Sequence, residues 1–173
     1  GSTQEIDGVK TDLATKFKVK DLGDLSFILG IHVEQKENGI KIHQKKYLKN
    51  ILMKFGFEDC NPISTPFDVK VKLHEDSTSK AVDVTLYQQM VGSLLYASLV
   101  TRPDISYAVG VVSRFNSKPN AAHLNAVKRI FRYLKGTLDV GLNYLETESD
   151  LHGYSDADWA GCNQTRRSTS GNV

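Results

Sequence analysis

The period of apolar positions changes several times along the chain, and each change marks an element. Over residues 9–17, apolar side chains fall at Val9, Leu13, Ala14 and Phe17, the spacing of one helix face, with Lys10, Thr11 and Lys16 outside it. The period then drops to two. Phe27, Leu29, Ile31 and Val33 share one side of an extended run over residues 27–34, and Ile28, Gly30, His32 and Glu34 share the other. Gly30 would stand inside this strand, where a missing side chain signals a bulge or a close approach to the backbone. Asn38-Gly39 supplies two residues that tolerate positive φ, so a type I′ turn is expected there, and Ile40-Lys41-Ile42-His43 resumes the alternation as the second arm of a hairpin.

Helical spacing returns over residues 44–55, where Tyr47, Leu48, Ile51, Leu52 and Phe55 fill one arc and Lys45, Lys46 and Lys49 project from the other, with Gly56 as the stop. Residues 58–85 hold Pro62, Pro66 and many Ser/Thr without a period, which predicts a connector. Residues 86–99 are apolar on most sides, hence a buried helix, and Gly92, Ser93, Ala97 and Ser98 leave room for another backbone. Thr101-Arg102-Pro103-Asp104 breaks the chain, with Asp104 placed to cap the next helix, whose stripe is Ile105, Ala108, Val109 and Val112. Over residues 121–135, Leu124, Val127, Phe131 and Leu134 face inward while Lys128, Arg132 and Lys135 cluster on a neighbouring face, and Gly136 ends the helix. Residues 140–144 and 151–154 are short strand candidates. No repeat of 20–50 residues occurs.

At 173 residues, 40% hydrophobic and 24% charged, the chain has the make-up of a folded domain, which excludes collagen-like and wholly disordered classes. No apolar run is long enough for a membrane span and no signal pattern opens the chain, so a soluble, intracellular protein is expected. Gly1-Ser2 without Met reads as a cleavage remnant, with natural sequence expected upstream. Cys60 and Cys162 fit neither a disulfide framework nor a structural zinc site.

A net charge of +2 says little, but its distribution says more. Residues 36–54 carry six Lys against Glu37, residues 114–135 carry six Lys or Arg and no acid, and residues 139–158 carry six acids and no Lys or Arg. Each basic run suits either a solvated helix face or a phosphate-binding surface. Asp156-x-Asp158 could hold a divalent cation or form an Asx turn ahead of Trp159. Metal spacing among the five His, phosphate loops and nucleophile elbows are lacking.

Seven blocks in order carry a further indication. They are Phe17-Lys-Val-Lys-Asp-Leu-Gly-Asp-Leu with Phe27-Ile-Leu-Gly-Ile; Gln44-Lys-Lys-Tyr-Leu; Cys60-Asn-Pro-Ile-Ser-Thr-Pro; Val91-Gly-Ser-Leu-Leu-Tyr; Thr101-Arg-Pro-Asp-Ile; Arg132-Tyr-Leu-Lys-Gly-Thr; and Gly153-Tyr-Ser-Asp-Ala-Asp-Trp-Ala-Gly ending in Arg166-Arg-Ser-Thr-Ser-Gly. Over nearly its whole length the chain resembles the reverse transcriptase of copia-type LTR retrotransposon Pol polyproteins. That family's polymerase site is a Tyr-x-Asp-Asp hairpin with one more upstream Asp, and this sequence contains no Asp-Asp pair. By motif order the resemblance implies a reverse transcriptase fragment, inactive alone, that runs from the end of the palm into RNase H.

The implied α+β fold is a helix and β-hairpin unit, a mostly helical thumb-like unit, and the first strands of an RNase H-like sheet. Its expected divisions are 1–57 (palm end with a primer-grip hairpin at Leu29 and Gly30), 58–85 (connector), 86–138 (thumb or connection) and 139–173 (truncated RNase H). Asp156 matches the first metal-binding acid of RNase H, and Mg²⁺ is the cofactor expected for the full-length enzyme. The expected partners are a template–primer duplex, RNA/DNA or DNA, and the rest of the Pol polyprotein. A homodimer through the incomplete sheet is also expected. Family membership implies the cytoplasm, in virus-like particles, and the nucleus as locations. The phosphate contacts come from the helical wheel: Lys128, Arg129, Arg132 and Lys135, with Lys45, Lys46 and Lys49. A non-catalytic interaction or regulatory module, and part of a longer active polymerase, remain alternatives.

Overall fold

The computed structural model describes residues 2–71, 73–74, 82–146, 152–161 and 166–172. The fold is α+β. Helix α1 (Thr3–Lys16) precedes a four-stranded antiparallel sheet of β1 (Phe27–Ile28), β2 (Ile31–Lys36), β3 (Gly39–His43) and β4 (Leu142–Leu145), in that spatial order. Helices α2 (Lys45–Lys54), α3 (Val84–Val100), α4 (Ser106–Ser113) and α5 (Ala121–Gly136) form the helical body. A two-stranded ribbon of β5 (Ser155–Ala157) and β6 (Ser170–Asn172) follows.

The core is where the apolar stripes of four helices meet. Leu48 and Leu52 of α2, Tyr87, Val91 and Leu94 of α3, Val109 and Val112 of α4, and Val127, Ile130, Phe131 and Leu134 of α5 are all buried in one cluster. Full burial of each such side chain contributes roughly 1.5–3 kcal/mol. Helix α2 therefore belongs to the same core as the helices expected to form a separate thumb-like unit. Phe57, Phe67 and Leu73 carry the connector across that core. Caps define the helix starts: Asp83 accepts from the Leu86 amide at 3.0 Å, and Asn120 and His123 form a reciprocal capping box on α5. At the end of α2, Gly56 takes the left-handed conformation expected of it, with φ 74°.

Several local expectations are corrected. Residues 27–34 are not one strand: Leu29 (φ 49°) and Gly30 (φ 82°) form a two-residue turn, with Ile28 paired to Ile31 across it. Gly30 therefore supplies positive φ rather than a bulge. The next turn slides back by one residue to Glu37-Asn38, because Gly39 is paired with Lys36 and lies against β4. A Cβ on Gly39 would stand 2.1 Å from the Tyr144 carbonyl oxygen, so its hydrogen serves a close strand approach.

The strand expected at 140–144 to open a second sheet is β4, and it pairs with β3 to complete the first one. At the other candidate strand, Leu151 lies outside the described residues and residues 152–154 precede β5, which pairs with β6. Asp104 does not cap α4. Its carboxylate accepts instead from Arg102 and Tyr133. The stripe on α1 is real but faces solvent: the helix buries none of its residues.

Candidate nucleic-acid interface

Burying the apolar arc of α5 turns its other side outward, and that side carries four of the six cations of the second basic run. Lys128 is exposed, while Arg129, Arg132 and Lys135 are partly buried. The arginines are oriented by the connector that crosses them. Arg132 Nε donates to the Asn61 carbonyl at 2.8 Å, and Arg129 Nη2 donates to Thr65 Oγ1 at 2.8 Å. Both contacts leave the positive charge uncompensated. Among the described residues, none of these four cations forms an ion pair. Three of them, Lys128, Arg129 and Arg132, line one cavity of about 520 Å³ between α5 and residues 57–71.

The lysines of α2 form a second group. Lys45 is ion-paired with Asp139, Lys46 lies over the Phe27 ring at 5.8 Å from its centroid, and Lys49 is exposed. The hydrogen bond and charge of Lys45, helped by the charges of Lys41 and Lys49, hold the Asp139 carboxyl below its ordinary range. Asp139 thus sits as one carboxylate among three lysines.

Leu29 and Gly30 stand at a hairpin tip, with Leu29 80% exposed. The tip is tied to α3 by the Tyr96 hydroxyl, which donates to the Leu29 carbonyl. Tyr96 packs edge-on against Tyr47 at 4.9 Å, and Tyr47 donates to the Ser93 carbonyl at 3.0 Å. Burial, outweighing that hydrogen bond, raises the Tyr47 hydroxyl above its ordinary range and keeps it a donor.

A network that the helical wheel gave no sign of holds this surface together. Arg102 is fully buried. It donates from Nε and Nη2 to the two carboxylate oxygens of Asp104 at 2.9 and 2.7 Å, and from Nη1 and Nη2 to the Thr137 carbonyl and hydroxyl at 2.9 and 2.6 Å. Tyr133 donates to Asp104 at 2.8 Å and its ring lies beside the guanidinium. Burial would raise the Asp104 carboxyl, but the hydrogen bond and charge of Arg102, with the Tyr133 hydroxyl, overcome it and hold the group low. The clamp joins the Thr101-Arg-Pro-Asp block to the last turn of α5. In the same way buried Gln44 accepts from the Thr101 hydroxyl at 2.9 Å, and a Cβ on Gly136 would lie 3.0 Å from Pro62 Cβ. The blocks that begin at Gln44, Cys60, Thr101 and Arg132 meet in these contacts.

Asp156 lies on β5, exposed, with Oδ1 accepting from the Ala157 amide at 2.8 Å. Asp158 Oδ1 accepts from the Thr169 amide across the ribbon. Among the described residues no three His, Cys, Asp or Glu side chains are grouped to hold a metal ion.

The reverse transcriptase (RNA-dependent DNA polymerase) family model matches residues 1–69. The Pol polyproteins of transposon TNT 1-94 from Nicotiana tabacum and transposon RE1 from Arabidopsis thaliana are 39% and 40% identical to the chain, each over 94% of its length. The chain belongs to the copia-type retrotransposon Pol family. It spans only 13% and 11% of those two polyproteins. It also spans 66% of an uncharacterized mitochondrial protein of Arabidopsis thaliana, to which it is 42% identical over 92% of its own length. No solved structure matches the chain significantly. It is a reverse transcriptase-like stretch of a retrotransposon Pol polyprotein. Among the described residues of this Pol stretch, no helix is long and apolar enough to cross a membrane.

Proposed function

We propose that this stretch of Pol holds a template–primer duplex by its phosphates and leaves polymerisation to acids elsewhere in the polyprotein. The observation that carries the reading is the outward side of α5, where Lys128, Arg129 and Arg132 share one cavity wall and form no ion pair among the described residues. Cations arranged in this way grip phosphates irrespective of sequence. In this reading α3 to α5 act as a thumb, the Leu29-Gly30 tip acts as the primer grip, and Lys45, Lys46 and Lys49 extend the basic surface. Residues 152–172 then open an RNase H domain. Mg²⁺ serves the longer enzyme.

Binding of a labelled RNA/DNA hybrid, measured across a salt series, tests the reading. Each neutralised phosphate contributes a slope of about −0.9 in log K against log salt, so Lys128, Arg132 and Lys135 together account for a slope of about −3. Replacing all three by Glu is expected to abolish most binding and flatten that slope; because Arg132 also donates to the Asn61 carbonyl, circular dichroism of the variant separates lost phosphate contacts from a lost fold. Unchanged affinity in that variant would refute the basic-ridge reading. Primer extension by the 173-residue chain alone would refute the division of labour.

A further inference from the structure

The cavity beside the ridge is more than a gap between charges. Its volume of about 520 Å³ is within the range of about 300–1,000 Å³ that small-molecule sites occupy. Phe57, Phe67 and Val71 line it, and Phe57 is already stacked on Phe131 at 5.0 Å between centroids. Among the described residues, three cations stand on its wall against one acid, Asp68, which is itself engaged: Oδ1 accepts from the Lys70 amide at 3.0 Å. Arg129 Nε is buried with no partner among the described residues, a donor that a bound acceptor would satisfy. An aromatic, apolar lining next to an excess of positive charge selects a ligand that has a flat face and an anionic group in one unit.

A base inside a duplex cannot enter such a cavity, because its faces are covered by its neighbours and its phosphates lie outside. An unstacked base can, and aromatic side chains accept any base face without regard to sequence. We propose that this cavity takes one unpaired nucleotide, its base against Phe57 and Phe67 and its phosphate at Lys128 and Arg129. The proposal rests on the duplex-holding reading for the strand that delivers the nucleotide. It turns the ridge from a uniform phosphate track into a site that recognises the junction between paired and unpaired strand.

The test compares a blunt RNA/DNA hybrid with the same hybrid carrying a two-nucleotide unpaired extension, both titrated with the full 173-residue chain. The extension is expected to tighten binding about tenfold, on the scale of one stacked base. Ala122 and Asn125 are exposed, line the cavity and lie outside the ridge, so Ala122→Trp fills the space without removing a core contact. It is expected to erase the tenfold gain and keep blunt-duplex affinity. Asn125→Trp repeats the test from the adjacent turn. Adenosine monophosphate added as competitor separates the sources: competition shows that the free nucleotide fits, and lack of competition shows that only the strand delivers it, both supporting the site. Equal affinity for the two hybrids would overturn the pocket and leave the ridge standing. No affinity for either would overturn the ridge itself, and the proposal with it.

Discussion

Replacing Arg102 by Met tests whether the buried clamp sets the geometry of the basic surface. The substitution keeps an unbranched, apolar stem but removes four hydrogen bonds, two to Asp104 and two to Thr137. Asp104 would keep the Tyr133 hydroxyl but lose both guanidinium donors, and the Thr137 carbonyl would lose the guanidinium as its donor. Breaking a buried ion pair from one side costs about 3–5 kcal/mol, because the partner stays desolvated. The Asp104 side chain is 30% exposed, so water recovers part of the loss and the expected cost is about 3–4 kcal/mol. For a chain of this length that corresponds to a fall in Tm of roughly 6–16 °C. Urea unfolding followed by far-UV circular dichroism gives the number. The double variant with Asp104→Asn should recover part of it, since no carboxylate is then stranded. A loss below about 1 kcal/mol would refute the reasoning and show that the clamp contributes little beyond filling space.

The same pair makes a pH prediction. Asp104 has a lowered folded pKa, so its stabilisation is fully present above the ordinary value of 3.8 and is lost as pH falls through the lowered one. Acid titration of stability should therefore show the gap between the parent chain and Arg102→Met narrowing below about pH 3.8. Gly141→Ala should destabilise by about 1–3 kcal/mol in urea, because the new Cβ would meet the Ile42 carbonyl oxygen at 2.3 Å and force β3 and β4 apart. Asp139→Asn removes the carboxylate that occupies Lys45, and should tighten duplex binding about twofold at low salt, on the scale of one exposed ion pair. Weaker binding in that variant would mean that Asp139 positions the lysine rather than competing for it.

Helices α2, α3 and α5 were legible because large apolar residues at helical spacing declare the buried face locally. Position 39 shows the limit of such reading. Asn-Gly looks like a turn wherever it occurs, yet here Gly39 is spent on β4, more than a hundred residues away in sequence, and the turn moves back to Glu37-Asn38. The stripe on α1 was equally visible, but periodicity states only that one face is apolar and cannot supply something to cover it. The cations of the candidate site were found by their helical wheel. The orientation of Arg132 and Arg129 depends on Asn61 and Thr65, contributed by a connector with no period at all.

Local patterning settled where most helices begin and end, which residues they bury, and that cations ride on the outside of α5. Those properties follow from the spacing of side chains along one stretch of backbone. The partner of β4, the burial of Arg102 and the cavity under Lys128 and Arg129 arise from contacts between distant segments. Arg102 illustrates the reason: a guanidinium at a helix break is ordinarily solvated, and it is stable out of water here because Asp104, Tyr133 and Thr137 arrive together to satisfy it. Such a meeting is a property of the packed chain, where the desolvation cost and its compensation come from different parts of the sequence.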